Sequence, residues 1–213
     1  MTSAPPPTAG SVTSSRFTAE RGKAFIDAVV AIAMTLLILP LMESIGEAVG
    51  HESTATEWFV DHWGQLLSFV LSFTIIAIFW IGHHRVFSRV HHVSSGLLWV
   101  TAAWLLTIVW LPVATAMSGQ MSVDDPIVRL TYIGSMLLIA LLVVAIRLYL
   151  RAHPDLHDMS PALIRRGLLA EIAVAGLFLV ALLLSVFVPG LGYWPLLLLI
   201  GTAFIPRLIR RER

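Results

Sequence analysis

The chain has 213 residues, of which 57% are hydrophobic and 13% charged, with a formal net charge of +1 and a mean hydropathy of +0.85. Charged residues make up about a quarter of a soluble domain, so a water-soluble globular protein is excluded. No cysteine is present, which removes disulfide and thiolate chemistry.

The opening stretch, MTSAPPPTAGSVTSS, is small, polar and proline-rich. It lacks the apolar core of a cleaved signal peptide and is expected to form, through residue 20, a disordered cytoplasmic tail. Six apolar runs follow, at 24–42, 64–82, 96–117, 127–146, 168–188 and 190–205. A spanning helix needs roughly 20 such residues, so each run predicts a transmembrane helix, the last being the shortest. The runs are continuous, whereas barrel strands alternate apolar and polar over about ten residues. The fold class is therefore all-α and polytopic: one six-helix membrane domain over 21–209, ending in a basic segment at 210–213.

Basic residues resist translocation and mark the cytoplasmic side. Arg16, Arg21 and Lys23 precede the first run, and Arg85 and Arg89 follow the second. Arg147, Arg151, Arg165 and Arg166 lie between the fourth and fifth, and Arg207, Arg210, Arg211 and Arg213 follow the sixth. Glu43, Glu47, Glu52, Glu57, Asp61, Asp124 and Asp125 sit in the opposite connections. Both termini are thus expected in the cytoplasm, in a multi-pass protein of the cell membrane. Trp58, Trp63, Trp110 and Trp194 fall near outer boundaries, as an aromatic belt would. Nucleic-acid binding is poorly supported, because no basic patch sits on a soluble domain.

Ionisable residues inside a membrane are costly and usually functional. Asp27 lies about one turn into the first helix; His83, His84 and Arg85 sit at matching depth near the end of the second. Trp80, His84 and Phe87 share a face of that second helix. An Asp–His or Asp–Arg contact would offset the cost of burying Asp27, and a structural clamp is favoured over direct ion handling. Glu171, in the fifth run, is expected to pair with a basic residue. Further along the first helix, Ile32, Leu36 and Leu39 recur at helical spacing with Thr35 beside them. Asp27 points about 140° away from Ile32. Taken alone, that stripe reads as lipid-facing or helix-packing.

The string RGKAFIDAVVAIAMTLLIL resembles the first helix of the transmembrane protein 175 family of potassium-permeable channels. That family carries an Arg followed four residues later by Phe-Ser-Asp; here Arg21 is followed by Phe25-Ile26-Asp27. FWIGHHRVF, from Phe79 to Phe87, resembles the family's second-helix pattern of Trp, paired His, Arg and Phe. The resemblance implies a homotetramer whose first helices surround a pore. It makes Ile32, Leu36 and Leu39 the constriction and Thr35 the layer that prefers potassium, with modest selectivity over sodium. Arg21, Phe25, Asp27, Trp80, His83, His84, Arg85 and Phe87 become the coupling between the first two helices. The permeant ion is potassium; no cofactor, metal or catalytic residue is implied, and the partners are other copies of the chain and lipid. Ile26 replaces the family's Ser, which removes a hydroxyl from the surroundings of Asp27. Pro40 is expected to kink or widen the pore mouth. Gly190-Leu191-Gly192-Tyr193 is not a potassium filter, because no Thr-Val precedes it and it follows Pro189 in a turn.

Two alternatives remain. A proton-coupled secondary transporter would want a midplane carboxylate, for which Glu171 is the candidate. A membrane metalloenzyme would use His83, His84, His91 and His92, two histidine pairs that lack a third cluster.

Overall fold

The computed structural model describes residues 12–188, apart from 53 and 123. Its elements are α1 (Val12–Leu36), α2 (Leu39–Gly50), α3 (Ala55–Asp61), α4 (Trp63–Phe87), α5 (Ser95–Gln120), α6 (Pro126–Ala152) and α7 (Pro161–Phe187). Among the described residues, five stretches are long and apolar enough to cross a membrane: α1 running on into α2 (Glu20–Gly50), α4, α5, α6 and α7. The expected sixth span, the turn at Gly190, Trp194 and the basic end at 210–213 lie outside the described residues, as do residues 1–11 of the expected tail.

Helices run past the apolar windows because polar residues cap them. Ser94, Asp125 and Ser160 each accept a backbone N–H, from Leu97, Ile127 and Leu163, and so start α5, α6 and α7. Arg147 and Arg151 are thus on α6, and Arg165 and Arg166 on α7.

The first span is interrupted. Leu37 and Ile38 form a turn between α1 and α2, and Pro40 sits in the first turn of α2. Proline carries no N–H, so the carbonyl four residues before it loses its helical partner. The chain resumes with the Met42 N–H donating to Ile38 O at 3.0 Å. The kink expected of Pro40 is therefore a break.

α1 packs on α4 and α5; α5 also packs on α4 and α6, and α6 on α7. Trp104, Ile108, Leu111, Ile133, Met136 and Ile139 are fully buried at the centre of this bundle. Two ends can be distinguished. The basic end gathers Lys23, Arg89 and the loops 88–94 and 153–160, which touch one another through a Val90–His157 bridge. The acidic end gathers α2, α3 and the start of α6. Trp58, one of the four tryptophans expected in the aromatic belt, is buried, and its indole N–H donates to Ser44 Oγ at 3.2 Å, tying α3 to α2. Trp63 and Trp110 are exposed.

Candidate pore face and helix coupling

α1 has two dissimilar faces. Ile26, Val30, Ala33 and Leu37 are buried against the bundle. On the other side Ile32 is 59% and Leu36 38% exposed, and Leu39, just past the break, is 50% exposed. Thr35 is exposed on that side too, and its hydroxyl donates to Ile32 O at 2.7 Å. The three residues expected at the constriction and the hydroxyl of Thr35 thus share the surface of α1 and α2 that the subunit leaves uncovered.

Asp27 lies on the bundle side. It accepts the Trp80 indole N–H at 2.7 Å, and His84 Nδ1 stands 3.9 Å from its other oxygen. The ring of His84 lies 5.8 Å from that of Trp80. These contacts join α1 to α4. His83 belongs to a different arrangement. It is buried, and its ring stacks between Phe87 at 4.0 Å and Trp104 of α5 at 4.4 Å. His83 Nε2 has no hydrogen-bond partner among the described residues. His83, His84 and Asp27 line a small open pocket with Glu20, Lys23 and Ser88.

Arg21, Phe25 and Arg85 do not join the cluster; all three are exposed. Helical geometry gives the reason. At 100° per residue Phe25 points about 160°, and Arg21 about 120°, away from Asp27. The motif on α1 is therefore divided: its carboxylate faces α4, and its Arg and Phe share the uncovered side with Ile32. No ion pair links Arg85 to Asp27 among the described residues.

Three features were not read from the sequence. Lys23 Nζ donates to Val90 O at 3.4 Å, fastening α1 to the loop after α4. At the acidic end a seam of buried hydroxyls joins three helices. Ser68 Oγ meets Ser118 Oγ at 3.2 Å, Ser72 Oγ meets Tyr132 OH at 2.8 Å, and Thr115 Oγ1 donates to Ser72 Oγ at 2.8 Å. Helical spacing of Ser68 with Ser72, and of Thr115 with Ser118, was the available signal. Arg129, also buried, donates to Ser185 O at 2.7 Å near the end of α7. The fourth feature was foreseen in kind: Glu171 pairs with Arg147, whose Nε donates to both carboxylate oxygens at 3.0 and 3.1 Å. Gly167 makes room for it, since a Cβ there would stand 2.6 Å from Arg147 Cζ.

Comparison with known proteins adds to this geometry. Residues 21–112 match the sequence model of the family described as endosomal/lysosomal potassium channel TMEM175. A potassium channel of Streptomyces collinus is 34% identical over 108 residues, which cover 49% of this chain and 50% of that protein. A potassium channel of Chamaesiphon minutus is 33% identical over 103 residues, covering 47% and 49%. This chain spans about half the length of the curated relatives it matches. The fold is that of the crystal structure of a lysosomal potassium-selective channel TMEM175 homolog from Chamaesiphon minutus. The TM-score is 0.71 at 24% identity, over 90% of this chain and 98% of the other.

Proposed function

We propose, from the match of residues 21–112 to the TMEM175 potassium-channel family and from the shared membrane fold, that this chain forms a potassium-permeable channel. Four copies surround an ion path, with α1 from each lining it and both termini in the cytoplasm of a cell-membrane protein. Ile32, Leu36 and Leu39 form the constriction, and Thr35 supplies a layer of hydroxyls.

The observation that supports this reading best is the division of α1. One side is buried in its own subunit; the other carries large aliphatic residues interrupted by a single hydroxyl. A narrow aliphatic neck dewets, and an ion entering it must shed water without replacement ligands. A small rotation of α1 would withdraw the side chains and admit water. With hydroxyls alone as ligands, preference for potassium over sodium rests on the lower dehydration cost of the larger ion, so selectivity is modest.

The test is reconstitution of the purified chain in planar bilayers under bi-ionic conditions. Unitary current steps with a reversal potential favouring potassium support the channel. Saturable flux without unitary steps would replace it with the transporter reading. The metalloenzyme reading has less support: among the described residues no group of three His, Cys, Asp or Glu side chains is placed to hold a metal ion.

A further inference from the structure

Two ring nitrogens, His83 Nε2 and Trp104 Nε1, are buried where α4 meets α5, and among the described residues neither has a hydrogen-bond partner. His83 is 5% exposed and Trp104 is fully buried. Their rings are parallel to within 7°, with centroids 4.4 Å apart, and Phe87 also stacks on His83 at 4.0 Å. Buried polar groups normally find partners, because a bond left unmade costs the hydration that was given up. The indoles of Trp58 and Trp80 follow that rule by donating to Ser44 and Asp27.

The two nitrogens suit one another chemically but not geometrically. An indole N–H only donates, and a neutral imidazole nitrogen accepts or, in the other tautomer, donates. Both act in the plane of their ring. Parallel rings stacked face to face therefore cannot aim them at each other. A water at the edge of the stack can serve both, since two hydrogen bonds of about 2.8 Å span roughly 5.6 Å.

α1 and α4 leave a pocket of about 310 Å³ at this level. Ile26, His83 and Phe87 line it together with the polar side chains of Glu20, Asp27 and Ser88. Liquid water takes about 30 Å³ per molecule, so the pocket has room for several. Both ring nitrogens are closed off from it in this conformation. A water reaches them when α1 and α4 part slightly.

We propose that this pocket is the entrance to an internal hydration site, in which one water joins the Trp104 indole N–H to His83 Nε2. The water accepts from the indole. It then donates to the imidazole nitrogen or accepts from it, so either neutral tautomer completes the bridge. Binding favours the position of α1 that leaves the gap wider. In the proposed channel α1 lines the ion path, so the water biases the position of the pore helix. That consequence rests on the channel reading; the hydration itself does not.

Water-edited solid-state NMR of the labelled chain in lipid bilayers tests this. Transfer of magnetisation from water to the Trp104 indole proton is expected to be about threefold or more faster than to the amides of Ile108 and Leu111, fully buried on the same helix. Equal transfer to all three would overturn the proposal. His83→Phe keeps an aromatic ring in the stack and removes the nitrogen, so transfer to Trp104 should fall toward that of the two amides. Transfer in His83→Phe as fast as in the wild type would also overturn it. The wild-type comparison needs no variant and decides even where His83→Phe fails to fold. A chain that gives both signals and no unitary current would keep the hydration site and lose the channel reading.

Discussion

Leu36 faces away from its own subunit in the middle of the uncovered stripe of α1, with Ile32 one turn before it. Leu36 is 38% exposed, so truncation removes only part of a buried leucine's packing, and Leu36→Ala should cost less than about 2 kcal/mol, the lower end for a core leucine. In the proposed channel it should nevertheless raise leak conductance several-fold, since the neck would widen on every copy at once. Identical current from reconstituted Leu36→Ala and wild type would take Leu36 out of the constriction. Trp80 makes a different kind of contact, a charge-assisted hydrogen bond to the half-buried Asp27. Trp80→Phe should lower stability by about 1 kcal/mol, the lower range of a bond to a charged group discounted for exposure. Combined with Asp27→Asn it should cost less than the sum of the two single changes, read from thermal unfolding in detergent. Polar cost and matching depth pointed Asp27 to a His or Arg of the second helix; Trp80, which the resemblance added, is the residue that donates to it. The separation of Arg21 and Phe25 from that contact was legible only by tracking direction around the helix.

At the scale of single elements, α3 is held by local chemistry. Thr54 Oγ1 accepts the Glu57 N–H, and the Glu57 carboxylate accepts both the backbone N–H and the hydroxyl of Thr54 at 2.8 Å. The Thr54 backbone N–H, with its hydroxyl next, holds the Glu57 carboxyl below the usual carboxylate range. A depressed acid stabilises the closed form above its unfolded pKa and loses that contribution as pH falls through the folded value. Exchange protection of the α3 amides should therefore decline below about pH 4.3. Thr54→Ala should show the weakened state already at neutral pH. α1 shows the limit of reading elements from hydropathy. Its apolar run continues through Leu37 and Ile38, and only Pro40 signals that the hydrogen-bond ladder is broken there.

At the scale of the whole molecule, the spanning cores were legible because membrane helices must be apolar over a fixed length. Their ends were not, because caps such as Ser94 and Ser160 and basic residues on helical turns lie beyond the apolar windows. The pairing of loops 88–94 and 153–160 joins residues over sixty positions apart and leaves no periodic trace. The packing of α6 on α7 depends on such a long-range fit at Gly167. Gly167→Ala would press a methyl into the guanidinium of Arg147 and disturb its pairing with Glu171. A loss of about 1–3 kcal/mol, typical of overpacking, is expected in thermal unfolding, with the ion preference of the proposed channel unchanged.

The hydroxyl of Thr35 has already committed its hydrogen to the carbonyl of Ile32. What remains exposed on that side of the helix is the oxygen's two lone pairs. Such an oxygen can solvate a positive charge but has no proton to offer a negative one. In the proposed pore, that one intrahelical bond would favour cations over anions at the Thr35 level, before any question of which cation arises.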